Sequence, residues 1–268
     1  MSELRQEGEV ERLGGREWKW AGWLVLLCGL VGAGAWFLPV LRMKAESARR
    51  TVAGGDRAAK AAERVRPALE KDLAAKGLHF GDPVFIRLFK EERELELWVR
   101  DRDGGRFKHF RTWPVVAMSG ELGPKLAEGD RQAPEGFYFV TPGRMNPKSR
   151  FHLSFNIGYP NAYDRAHGRT GSAIMVHGNR VSIGCFAMTD AKIEEIYTLC
   201  DAALKGGQPY FRVHVFPFRM TVERMARTPG EKWREFWLNL KEGYDWFEEK
   251  RTPPDVAVEK LRYTFRDS

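Results

Sequence analysis

The chain has 268 residues, 43% of them hydrophobic and 30% charged, enough for one sizeable globular core with extensions. A net charge of +8 and a pI near 9.4 favour contact with anionic surfaces such as lipid headgroups or cell-wall polymers, or serve solubility alone; no nucleic-acid motif accompanies them. Three cysteines, Cys28, Cys185 and Cys200, form no disulfide framework, and an odd count in an exported protein leaves a free thiol whose use needs explaining.

Residues 1–19 are polar, and an uncharged apolar run from Trp20 to Leu41 is long enough to span a bilayer. Two forms of export compete: a retained signal anchor, or a signal peptide cleaved after Ala33-Gly34-Ala35. The run continues through Trp36, Phe37, Leu38 and Val40, which favours a periplasmic protein anchored in the inner membrane by residues 20–41, so residues 1–45 read as tail and membrane segment. Cys28 follows Leu27 and makes no lipidation site. Residues 46–79 read as a helical stalk, with Val65, Leu69 and Leu73 at helical spacing and Pro67 in the first turn of a short amphipathic helix.

Residues 80–220 open in β-structure. Pro83 to Phe89 and Glu94 to Arg100 predict two strands joined by Lys90-Glu91-Glu92-Arg93, and Phe107 to Met118 continues the sheet with Pro114 marking an edge or a bulge. Gly120 to Gly136 is a long irregular loop of the kind that is often functional, and its Lys125 and Arg131 are either solvated charges or contacts for substrate carboxylates. A strand is expected at Phe137 to Val140. The segment Asn156 to Gly168 gathers Tyr163, Asp164, Arg165 and His167, a composition suited to reading a polar peptide; equally, Asp164 and Arg165 could stabilise a turn and His167 hold the loop.

Ser172 to Thr189 concentrates the chemistry. Ile174, Met175 and Val176 suit a buried strand, and His177-Gly178 sits where that strand leaves the core. Gly178-Asn179-Arg180 can turn the chain, and an extended return from Val181 to Ile183 brings the Cys185 sulfur within reach of the His177 ring. Thiolate attack on an acyl carbon needs this pairing, because an exposed thiol is mostly protonated near neutral pH and an adjacent imidazole can take its proton. Gly184 permits tight backbone geometry, so the amides of Gly184 and Cys185 are candidates to face a developing oxyanion. A metal site built from His167, His177 and Cys185 lacks a recognised ligand spacing and a fourth ligand, and no cofactor is implied.

Asp190 to Leu204 predicts an amphipathic helix, capped by Thr189 and ended by Gly206-Gly207, whose N-terminal dipole would face the thiolate; Cys200 is expected buried on it. Tyr210 to Phe216 alternates as a strand. Residues 221–268 read as a helical extension whose face of Trp233, Phe236, Trp237, Leu240, Tyr244 and Phe247 is a packing surface, a lid or a partner patch. His79, His109, His152 and His214 have no companion motif and read as structural or surface residues.

His177-Gly178 followed by Ser182-Ile183-Gly184-Cys185 resembles the signature of the YkuD-type L,D-transpeptidases, cell-wall enzymes with a cysteine nucleophile. Leu122 to Leu126, Gln132 to Tyr138, Asn156 to Gly168 and Gly184 to Thr189 resemble its YafK (DpaA)-like branch, the likeness covering about residues 65 to 250. The resemblance implies an α+β, β-rich catalytic domain of mixed sheets with a helix after the nucleophile, beside the N-terminal transmembrane segment and helical C-terminal extension. It implies Cys185 as nucleophile, His177 as base, Ser182 supporting the loop, and Gly184 with Cys185 stabilising the tetrahedral intermediate. Tyr163, Asp164, Arg165, His167, Gly178 and Asn179 would line the substrate cleft. Ala187 stands where the broader family carries arginine, so any contact made by that arginine is absent or supplied elsewhere. Diaminopimelate-containing peptidoglycan stem peptides are the implied partners, with wall-anchored lipoprotein as a further one, since the branch includes hydrolases of that linkage. Transpeptidation and hydrolysis both stay open, and a non-catalytic wall-binding module on the same fold is the alternative.

Overall fold

The computed structural model describes residues 56–267 except 229 and 231; the expectations for residues 1–45, including the apolar run and Cys28, lie outside them. Among the described residues no helix is long and apolar enough to cross a membrane. The first element is a helix, α1, over 56–74. Ala61, Leu69 and Leu73 lie on its inner face, fully buried in the main core, so this part of the expected stalk belongs to the domain. Pro67 sits inside α1 and does not begin it, a correction with a simple reason: the lost amide donor falls on the exposed side, where water can satisfy the unpaired carbonyl.

Five strands, β1 (Val84–Phe89), β2 (Glu94–Arg100), β3 (Phe107–Pro114), β4 (Gly136–Val140) and β9 (Phe211–Phe216), form one sheet in the order β3-β2-β1-β9-β4. Within this sheet β1 and β9 pair in parallel and the other neighbours antiparallel. Every residue of β1 is buried, as a central strand covered on both faces requires. That burial includes Arg87, which is held by Glu96 at 2.8 Å and Glu248 at 2.6 Å. Pro114 ends the edge strand, where its missing amide breaks no ladder. The second sheet is short: β5 (Met145–Asn146), β6 (Ser154–Asn156), β7 (Met175–His177) and β8 (Phe186–Ala187), in that order.

Side chains alternate along β9 and so divide the molecule. Phe211, Val213 and Val215 enter the main core with Phe155, Val176 and Phe186 of the short sheet and with Ile193 and Ile196 of α3 (Asp190–Lys205). Phe216, on the other face, joins Phe89 and Phe137 against the buried side of α5 (Arg234–Lys250), where Phe236, Trp237, Leu240 and Tyr244 sit. Burying each such ring is worth about 1.5–3 kcal/mol. The aromatic stripe of the C-terminal region is therefore a packing surface. Two short helices complete the set, α2 (Ala162–Ala166) and α4 (Val222–Met225).

The expectation of a wholly helical 221–268 is corrected by a hairpin, β10 (Asp255–Glu259) with β11 (Arg262–Arg266). Its two-residue turn, Lys260-Leu261, holds φ of 47° and 64°, the geometry usually given to Asn-Gly. Thr189 does not cap α3 through its side chain; its φ of 77° points it elsewhere.

Candidate active site

β7 and β8 run parallel with Val176 opposite Phe186 and His177 opposite Ala187. One step further along this register, Cys185 falls opposite Met175. Because side chains alternate, Val176 and Phe186 point into the core while His177 and Cys185 share the other face as diagonal neighbours. The pairing is buttressed from β3's continuation: Ala117 bridges Ala187, and the Val116 amide donates to the Ala187 carbonyl at 2.9 Å.

His177 is buried, with its ring tilted against Phe151 at 4.7 Å between centroids. Nδ1 lies 2.5 Å from the Gly178 carbonyl, so that nitrogen carries the proton and Nε2 keeps the lone pair. Burial lowers the imidazole's pKa, opposed by the Gly178 carbonyl. The ring is therefore neutral at pH 7, as a base must be. Burial likewise pushes the Cys185 thiol up, against the Met175 amide and the positive charge of Lys125, which pull it down. The Met175 amide donates to Sγ at 3.4 Å, and the thiol donates to the Ala173 carbonyl at 3.8 Å. Among the described residues no hydrogen bond joins Sγ to the imidazole. The resting pair is a thiol and a neutral histidine, and burial outweighs the modest lowering expected from the dipole of α3.

The loop between them is fixed by backbone. Ser182 Oγ donates to the Cys185 carbonyl at 2.6 Å. Gly184 has φ of 89°, which a side chain would strain, and its amide donates to Ser119 Oγ at 2.6 Å. That bond corrects the expectation that the Gly184 amide faces an oxyanion, and leaves the Cys185 amide as the candidate. Ser119 in turn donates to the Arg131 carbonyl at 2.7 Å. Gly178 cannot contact substrate through a side chain of any kind: a Cβ there would come within 2.6 Å of Asp190 Oδ1 and 2.7 Å of the Phe151 carbonyl. Asn179, at φ of 66°, makes the turn, its amide donating to Asp190 Oδ1 at 2.7 Å.

The long loop of 120–136 is built and not loose. Lys90, deeply buried, donates to Glu135 at 2.9 Å and to the Gly123 carbonyl at 2.7 Å, while Trp237 donates to the other Glu135 oxygen at 2.9 Å. Lys125 is buried too and pairs with Asp130. Sequence reasoning missed Ser119 and Phe151, since a lone serine after a strand and a lone phenylalanine carry no pattern.

Of the residues of 156–168 expected to read a peptide, Tyr163 and Asp164 are buried and hold the fold, whereas Arg165 and His167 are exposed. Asp164 has no exposed surface; it accepts from Arg169 at 2.8 Å, from Tyr138 Oη at 3.1 Å and from the Asn161 amide at 3.1 Å, closing a capping box on α2. Burial raises its pKa, opposed by those hydrogen bonds. Tyr163 is buried and stacks between Tyr263 at 4.2 Å and His167 at 4.1 Å. His167 Nδ1 donates to the Tyr163 carbonyl at 3.0 Å, and Arg165 reaches back to the Pro160 carbonyl. Cys200 is wholly buried on α3, its thiol pushed far up by burial. Among the described residues no group of three His, Cys, Asp or Glu side chains is arranged to hold a metal ion.

Cys185, just before β8, and His177, at the end of β7, share one face of this small mixed sheet, and the model of the YkuD L,D-transpeptidase catalytic domain matches residues 84–246. The chain belongs to that family. It is 47% identical over 183 residues to YafK of Escherichia coli strain K12, named as an L,D-transpeptidase, covering 68% of this chain and 74% of that protein. The relative from Escherichia coli O157:H7 matches to the same extent. Among solved structures, the helical cell shape determining protein Pgp2 of Campylobacter jejuni overlaps 68% of this chain and 74% of its own, at 18% identity and a TM-score of 0.41. Bd1075 of Bdellovibrio bacteriovorus overlaps 63% and 59%, at 21% identity and 0.36.

Proposed function

We propose that this peptidoglycan-modifying enzyme works through a Cys185 acyl-enzyme on diaminopimelate-containing stem peptides, in the periplasm, held to the inner membrane by residues 20–41. The observation that carries the mechanism is the Nδ1 contact of His177 to the Gly178 carbonyl, because it leaves Nε2 as the base on the face shared with Cys185. The thiol turns from the Ala173 carbonyl, gives its proton to Nε2, and Sγ bonds to the acyl carbon. The Cys185 amide faces the oxyanion. As the C–N bond breaks, the imidazolium returns the proton to the leaving amine and a thioester remains. Water activated by the same histidine then frees the acid, or an amine takes the acyl group.

Of the two acceptors, water is the favoured reading, with a wall-anchored lipoprotein as leaving group. Supporting it is Ala187, fully buried between Ala117 and His177 on β8, which leaves no room for the arginine of the broader family pattern. Incubating the protein with lipoprotein-bearing sacculi, beside Cys185→Ala, and reading the products by mass spectrometry tests this. Free lipoprotein ending in an unmodified lysine supports hydrolysis, new diaminopimelate crosslinks make the enzyme a transpeptidase, and no Cys185-dependent change restores the binding-module reading.

A further inference from the structure

α1 reaches His177 through a loop that belongs to neither. Arg57, Ala61 and Arg64 are spaced for one face of the helix, and Ala61 between the two arginines is fully buried in the main core. Both arginines act on the loop of 149–153 that leads into β6. Arg57 Nη1 donates to the Ser149 carbonyl at 2.9 Å and to the His152 carbonyl at 2.7 Å. Arg64 holds Glu194 of α3 in a fork, at 2.6 and 3.2 Å, and Glu194 meets His152 Nε2 at 2.7 Å. His152 keeps φ of 70° under these contacts, a left-handed conformation that persists where the surroundings fix it.

Between the two carbonyls that Arg57 bridges stands Phe151. Its amide donates to Ser149 Oγ at 3.0 Å, its carbonyl lies so close to Gly178 that a Cβ there would meet it, and its ring is tilted by 31° over the His177 imidazole at 4.7 Å. Phe151 is 40% exposed and joins none of the core clusters of the described residues, so its place over the imidazole is set by the loop backbone and not by packing around the ring. The covered imidazole owes its lowered pKa to burial, opposed by the Gly178 carbonyl. The titratable and charged groups around this corner are Cys185, which shares the face of His177, Asp190 of α3, bonded to the Asn179 amide, and the His152, Glu194 and Arg64 chain.

We propose, on the reading of His177 as the base for Cys185, that Arg57 is a positioning residue for the reaction: by bridging the Ser149 and His152 carbonyls it holds the Phe151 ring on the imidazole and so fixes the base. The first turn of α1, far from His177 in sequence, thereby becomes a condition for turnover. Lifting that turn would leave both sheets folded and the base loose.

A variant series on the full chain tests this, with turnover of stem peptides and the titration of His177, followed by NMR of its ring nitrogens, read separately. Arg57→Ala should lower kcat about tenfold with KM within about twofold, since a base displaced by about 1 Å loses orientation and not binding. The His177 pKa should rise toward 6.5 in the same variant, as water reaches the uncovered ring. Phe151→Leu, which keeps apolar bulk without the flat ring, should act likewise, and adding Arg57→Ala to it should cost nothing more, because both work through one contact. Arg57→Lys, whose ammonium can bridge two carbonyls, should recover most of the lost kcat. Lys60→Ala, which removes only an exposed pair with Asp56 on α1, should match wild type. An unchanged kcat and an unchanged His177 titration in folded Arg57→Ala overturn the proposal. So do losses that add in the double variant, or a kcat loss in Lys60→Ala equal to that in Arg57→Ala, which would make α1 a stabilising helix only. A wild-type chain that turns over no stem peptide would fail the proposed function, and the His177 titration in Arg57→Ala would still decide the positioning.

Discussion

The segment 156–168 and the segment 175–185 each concentrate reactive side chains, and they end up in opposite states. In the first, the buried groups are already committed, Asp164 to Arg169, Tyr138 and Asn161, and Nδ1 of His167 is bonded to the Tyr163 carbonyl, while Arg165 and His167 stay exposed. In the second, the backbone is heavily bonded and the chemistry is left over. Gly178, Ser182 and Gly184 spend their groups fixing the loop, while Nε2 of His177 keeps its lone pair and Cys185 makes only weak sulfur contacts. A functional cluster is marked less by the density of reactive residues than by which of their valences the fold leaves open.

Substitutions can break this contrast. The largest effect is expected at Cys185 and His177: Cys185→Ala should abolish turnover and His177→Gln should lower kcat/KM by about 10²–10⁴-fold, each with little change in Tm, as assays on stem peptides and thermal melts would show. Asp164→Asn should do the reverse. It leaves Arg169 short of its buried partner, costing stability of about 3–5 kcal/mol in denaturant melts, with kcat of the folded protein within about twofold of wild type. A kcat loss like that of His177→Gln would make 156–168 part of the site after all.

Smaller effects sharpen the second segment. Ser119→Ala removes the acceptor of the Gly184 amide, and a misaligned Cys185 should cost kcat/KM roughly tenfold, about 1.4 kcal/mol, without altering the thiol's pKa. Smallest is the pH dependence. His177 acts as a base only when neutral, and its pKa is lowered by burial, so the acid limb of kcat/KM should have its midpoint below the ordinary imidazole value of 6.5. Folding stability follows the same sign: protonation is disfavoured in the folded state, so His177 costs stability only as pH falls below 6.5, the unfolded value, and contributes nothing above it.

Much of the site was legible from sequence because it is local. The apolar run into His177 and the turn at Asn179 are read from neighbouring residues, and β1, β2 and α3 show their periods openly; the expected extended return over Val181 to Ile183 is instead a loop, because β8 pairs parallel to β7 and the chain must cross over to reach it. What was not legible depends on distant partners. Asp164 looks free until Arg169 and Tyr138 are folded against it, and Ser119 lies 65 residues from the glycine it holds. The C-terminal hairpin was hidden for another reason: Lys260-Leu261 takes a left-handed turn that those residue types rarely announce. Pro67 misled because proline usually starts helices, and here its cost falls on a solvated face.

The most direct test of the central claim, a neutral thiol served by a neutral imidazole, is the rate of Cys185 alkylation by iodoacetamide as a function of pH, mapped by peptide so that Cys28 and buried Cys200 are read apart. The account predicts that Cys185 reacts well ahead of Cys200, and that its rate climbs only through a midpoint above the ordinary thiol range, because burial outweighs the Met175 amide and Lys125. A rate already high and flat below pH 6, lost in His177→Gln, would reveal a resting thiolate–imidazolium pair and contradict it.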